Sequence, residues 1–209
     1  MPSVVSFVGV IGSGKDYQAN LLVDKGYFRI DFKDELLDMV SDLVGYNVRE
    51  DYDWFKENAV GIRRPKNRLQ EACAIQDSRM AIERGAMTGR QMLQRFGTEV
   101  MRKRDPDYWA KAWKRKATQA FMEGLSVACA DCRFRNEVET IQQMRLWMET
   151  DSIVTHGADV KFIFCDYRSG RYDATSKHES EAMAQGLLRM GLKDMQEILP
   201  SHFLEEVYG

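Results

Sequence analysis

Val4, Val5, Phe7 and Val8 lead into a glycine-rich stretch with the spacing Gly9-x-x-x-x-Gly14-Lys15. Those residue types in that order suit phosphate binding. A turn built on glycine can wrap its N–H groups around phosphate oxygens, and the helix that follows adds partial positive charge at its N-terminus. Lys15 would reach the β- and γ-phosphates of a bound nucleotide. Gly12, Ser13, Gly14, Lys15 and Asp16 are the candidate phosphate residues. Asp16 departs from the common pattern, in which Ser or Thr gives a hydroxyl to magnesium. A carboxylate also suits magnesium, directly or through a water. It repels phosphate unless a cation lies between them. Asp16 therefore implies a metal, with a first-turn helix acid as the plainer alternative.

A second group of residues could share that chemistry. Asp131 follows the apolar run Leu125 to Ala130 and is placed to hold magnesium or its water shell; its alternative is a cap for the helix starting near Phe134. Arg133 presents a planar guanidinium that suits a phosphate, or else it pairs with Glu137 or Glu139 on the surface. Arg168 and Arg171 flank Gly170 in a polar stretch, which suits a lid over phosphates or a solvated loop. His178 would bond a phosphate or cap the helix beginning at Glu179.

These residues need a scaffold. Residues 4–8, 27–30, 125–130 and 160–165 read as strands, and the longer ones are mostly apolar rather than alternating. Helices are expected from Lys15 to about Asp24, over the stripe Leu36 to Val44 ended by Gly45, and over Arg68 to Arg84. More are expected from Thr88 to a turn at Gly97, after the Asp105-Pro106 start, from Glu137 to Glu149, and from Glu179 to Met190. Residues 46–66 read as irregular, with Tyr52, Trp54 and Phe55 as packing anchors. Phe96, Tyr108, Trp109 and Trp113 fall at core spacing rather than as a base-stacking platform. Strands alternating with helices predict an α/β fold, a parallel sheet with helices on both faces. Ligands in such sheets bind beyond the carboxyl ends of the strands. That rule gathers Lys15, Asp16, Phe32, Lys33, Asp131, Arg133, Arg168 and Arg171, a grouping suited to phosphoryl transfer.

The 209 residues suit one domain, and 30 basic against 32 acidic residues give a net charge of −2. That balance argues against a nucleic-acid partner. No apolar run reaches the ~20 residues of a membrane helix, and the N-terminus leads straight into a strand. A cytoplasmic protein without membrane contact is expected. Cys129 and Cys132 have C-x-x-C spacing, but no second pair follows, so buried free thiols are expected. A homodimer is compatible with the sequence.

The chain resembles the deoxynucleoside monophosphate kinases of tailed bacteriophages. The residues that carry the resemblance are Gly-Ser-Gly-Lys-Asp at 12–16, Leu-Gln-Arg-Phe-Gly-Thr-Glu at 93–99 with Asp107-Tyr108-Trp109 behind it, Asp-Cys-Arg-Phe-Arg-Asn-Glu at 131–137, and His-Glu-Ser-Glu at 178–181. Residues 46–85 and the tail after Met190 fall outside it. The resemblance implies a P-loop nucleoside monophosphate kinase fold over 1–209, with a helical acceptor-binding region at 46–104 and a lid at 166–178. It implies transfer of the γ-phosphoryl of ATP, with Mg2+, to a deoxynucleoside 5′-monophosphate. Gly12 to Asp16, with Arg168 and Arg171, would hold ATP. Asp16 and Asp131 would serve the metal, and Lys15, Asp131 and Arg133 would face the transferring group. Phe32, Lys33, Arg90, Gln94, Thr98, Glu99, Arg133, Glu137, His178 and Glu181 would belong to the acceptor site.

Two other readings stay open. One is a kinase for another acceptor, either a hydroxymethylated base in DNA or a small alcohol. The other is an ATP-binding switch that performs no chemistry.

Overall fold

The computed structural model describes residues 2–9, 12–60, 87–150 and 159–165. The chain forms two compact units, one of residues 1–32 and 113–209, the other of residues 33–112. The helix expected over Arg68 to Arg84, the lid at 166–178 with Arg168 and Arg171, and His178 and Glu181 all lie outside the described residues.

The first unit is an α/β layer structure. Strands β1 (Ser3–Val8), β2 (Phe28–Arg29), β5 (Val127–Cys132) and β6 (Asp159–Phe164) form a sheet in the order β2-β5-β1-β6. Every pairing in it is parallel. The apolar runs explain this: β5 is buried along its whole length and β1 along all but its first residue. Helix α1 (Lys15–Val23) lays Ala19 and Leu22 against Val5, Phe7, Ala130 and Ile163. Helix α6 (Arg135–Thr150) joins β5 to β6 and buries Ile141 and Met144. The β1–α1–β2 and β5–α6–β6 crossovers run in opposite directions along the sheet. Right-handed connections then put α1 and α6 on opposite faces.

The strand carrying Asp131 differs from its sequence reading. It starts at Val127 and continues through Asp131 to Cys132, so the acid sits within the strand and not beyond it. Helix α5 (Tyr108–Met122) starts two residues later than Pro106 suggests. The Asp105 side chain instead accepts the Asp107 N–H at 3.1 Å in a turn before it. Within the first unit, Trp113 is buried and donates its indole N–H to the Ile30 carbonyl at 3.0 Å.

In the second unit, α2 (Asp34–Val44) stops at Gly45, whose φ of 83° is the left-handed conformation that glycine supplies at a helix end. The stretch after it is more ordered than its composition suggests. It forms α3 (Tyr52–Glu57), then a small antiparallel pair, β3 (Ala59–Val60) and β4 (Met87–Thr88). Phe55 is fully buried, whereas Trp54 is exposed and anchors nothing. Thr88 and Gln91 form a reciprocal capping box at the start of α4 (Gly89–Gln94).

Gly97 does not end that helix. The chain widens into a π-helical segment, Arg95–Arg102, with Gly97 inside it. Two contacts explain the glycine. A Cβ there would lie 3.0 Å from Leu36 Cδ2, and the Gly97 carbonyl accepts the Trp109 indole N–H at 2.8 Å. Phe96 and Trp109 are core residues of this unit, with Leu36, Leu43, Phe55 and Met92.

Candidate functional site

The glycine turn follows β1 directly. A Cβ on Gly9 would lie 2.5 Å from both the Cys165 carbonyl oxygen and Ser13 Oγ. The backbone therefore passes too close to the end of β6 for any side chain. Gly12 and Gly14 have φ of 78° and 84°, in the left-handed region, and Gly14 caps α1. Lys15, the first helical residue, is 4% exposed, and the buried Ser13 hydroxyl has no hydrogen-bond partner among the described residues. Burial raises the Cys165 thiol's pKa, with the nearby Lys15 charge pulling the other way. Gly9→Ala should open this turn. Loss of nucleotide binding with a retained circular-dichroism spectrum is the expected outcome, measured by equilibrium dialysis.

Two aspartates lock the next strands together. Asp31 Oδ1 accepts the Ala130 N–H at 2.7 Å, and Asp131 Oδ1 accepts the Phe32 N–H at 2.8 Å. Each acid thus takes the N–H beside the other. This arrangement explains a carboxylate in a buried strand. Asp31, Cys129 and Asp131 bring a carboxylate oxygen each and a thiol within 4.8 Å of one another. Burial first, then the two aspartate charges, hold the Cys129 thiol far above its usual pKa, so it stays protonated. Cys129 and Cys132 are free and buried, as expected.

Asp16 is not in that group. Its carboxylate pairs with Arg29, which also grips Asp31 through Nε at 3.1 Å and Nη2 at 2.9 Å. Burial works against the charge on Arg29, but Asp31 and Asp16 outweigh it and hold its pKa above the usual range. Arg29 joins the two acids, and sequence reasoning missed it. Asp31 was visible at a strand end without a role. No local pattern reveals either one, because their partners come from α1, β2 and β5.

Arg133 follows β5, half-buried. The buried Glu137 carboxylate accepts the backbone N–H groups of Arg133 at 2.7 Å and Phe134 at 3.0 Å. Glu137 thus shapes the turn that carries Arg133 and is 1% exposed. Glu139 pairs with Arg135 instead of Arg133. Glu137→Ala leaves two inward N–H groups without their acceptor, a loss of roughly 1–3 kcal/mol. A lowered urea midpoint is expected, and Glu137→Gln, which retains an acceptor oxygen, should recover most of it.

Phe32 needs correction. It is 3% exposed and stacks on Trp113 with ring centroids 5.0 Å apart, so its ring is core and does not face an acceptor. Lys33, Arg90, Gln94, Thr98 and Glu99 belong to the second unit. Lys33 caps α2. Arg90 is exposed on α4 and pairs with Glu57 at 2.6 Å. Gln94 ends α4, and Thr98 and Glu99 lie in the π segment, half-buried and exposed respectively. Arg95 beside them is 6% exposed, a buried cation that the sequence did not flag. π segments of this kind occur frequently at functional sites.

No family model matches the chain, and no curated protein matches it. Among the described residues, no helix is long and apolar enough to cross a membrane.

Proposed function

We propose that this chain is a magnesium- and ATP-dependent deoxynucleoside monophosphate kinase with a P-loop kinase fold. The observation that carries the reading is the glycine turn between β1 and α1 with buried Lys15 at its end. Asp131 lies on the strand hydrogen-bonded directly to β1, where Val8 pairs with Cys132. The residues fit the ligands. A Cβ on Gly9 has no room, and among the described residues the buried Ser13 hydroxyl has no hydrogen-bond partner. The acids nearby offer carboxylate oxygens, which suit a hard cation, while the only thiol among them stays protonated.

Transfer between two phosphates needs alignment and neutralised charge more than covalent help. Lys15 and the α1 N-terminus bind and orient the ATP phosphates. Asp131 and Asp16 would hold Mg2+, which supplies charge neutralisation at the phosphate oxygens. Arg133, placed by Glu137, meets charge on the transferring group. No general base is required, because the acceptor phosphate is already ionised at neutral pH. Recognition of the acceptor by Arg90, Gln94, Thr98 and Glu99, and closure of a lid bearing Arg168 and Arg171, rest on the family resemblance.

ATP consumption with and without added deoxynucleoside monophosphates tests the reading. A kinase consumes ATP only with acceptor. Consumption without acceptor would mean an ATPase, and none under any condition would mean a binding switch.

A further inference from the structure

We infer that Arg29 and a divalent cation compete for the Asp16 carboxylate, so that a metal-bound triphosphate takes Asp16 from Arg29. The inference rests on the phosphate-site reading above. Its basis is the unequal hold of one guanidinium on two acids.

Arg29 reaches Asp31 Oδ2 through Nε and Nη2, and Asn20 Oδ1 through Nη1 at 2.6 Å. Those three bonds fix it without help from Asp16. Arg29 reaches Asp16 through Nη2 alone. The Asp16 side chain is 65% exposed and that of Asp31 only 4%. Asp31 also keeps the Ala130 N–H on its other oxygen. An exposed carboxylate can change partner at little cost, whereas a buried one held from both sides cannot. Asp16 is therefore the exchangeable ligand.

The exchange answers a difficulty in the sequence. An acid beside a phosphate turn repels its ligand until a cation intervenes. Arg29 neutralises Asp16 while no metal is bound and stays on Asp31 when Asp16 leaves. It acts as a positioning residue, since none of its contacts is with the turn.

Arg29→Lys separates the two bonds. Lysine keeps one point charge for Asp31 but lacks the fork that also reaches Asp16. Mn2+ binding, followed by electron paramagnetic resonance with a non-hydrolysable ATP analogue present, should tighten roughly two- to five-fold, the worth of an exposed ion pair. In an Asp16→Asn background the same change should have no effect. Metal-free analogue binding should weaken in Arg29→Lys relative to wild type, because Asp16 then faces the phosphates without its neutralising partner. Unchanged or weaker Mn2+ binding in Arg29→Lys overturns the competition. If Arg29→Lys does not fold, Asp16→Asn alone decides, because unchanged Mn2+ binding there overturns any role of Asp16 toward the cation. Wild-type protein that binds neither analogue nor Mn2+ would remove the phosphate-site reading as well. Binding of both with no change in Arg29→Lys removes only this inference.

Discussion

Lys15→Ala lowers phosphoryl transfer by about 10²–10³ or more, the scale seen when one preorganised charge partner of a transition state is removed. Lys15 is nearly buried at the first position of α1, next to the glycine turn. The turn before it comes so close to the end of β6 that a Cβ on Gly9 would lie 2.5 Å from the Cys165 carbonyl oxygen. Alanine suits a helix well, so the fold should survive. The check is steady-state turnover alongside thermal melting. A large loss of turnover with a small change in melting temperature is expected. Retained turnover would remove the glycine turn from the mechanism.

Asp131 has two duties, and two substitutions separate them. Its Oδ1 accepts the Phe32 N–H, and its charge is proposed to serve magnesium. Asp131→Ala leaves the buried N–H without its acceptor and should cost roughly 1–3 kcal/mol. Asp131→Asn keeps an acceptor oxygen and loses the charge. It should melt near wild type yet lose turnover by about 10²-fold or more. Melting curves and Mg2+-dependent turnover of both variants decide the matter. If Asp131→Asn retains turnover, the acid only joins β5 to the residues after β2.

The parts of the fold visible in the sequence are those set by local pattern. The runs in β1, β5 and β6 are mostly apolar rather than alternating, because buried parallel strands need both faces covered. The stripe of α2 and its stop at Gly45 are visible for the same local reason. The hidden parts depend on distant partners. Asp131 looked like a strand end because a carboxylate is costly inside a buried strand; a backbone N–H 99 residues away makes it tolerable. Gly97 looked like a helix stop, but Leu36 and Trp109 hold it inside a π segment. Phe32 looked like a loop residue until Trp113 stacked on it.

The candidate site divides along the same line. Gly12 to Asp16 could be singled out from spacing alone, because they lie in one continuous stretch of chain. Arg29 could not, since Asp16, Asn20 and Asp31 meet only when α1 folds back beside β2. Glu137 carried a carboxylate in the right stretch, but its direction toward the Arg133 and Phe134 N–H groups is a property of the helix start.

The most direct measurement of the central claim is transfer from ATP labelled at the γ-phosphate. The acceptors are a panel of deoxy- and ribonucleoside monophosphates, modified pyrimidines and single-stranded DNA, with products separated by chromatography. The account predicts label in a deoxynucleoside diphosphate, dependent on Mg2+ and lost in Lys15→Ala. Label in DNA or in free phosphate alone, with none in any diphosphate, would contradict it.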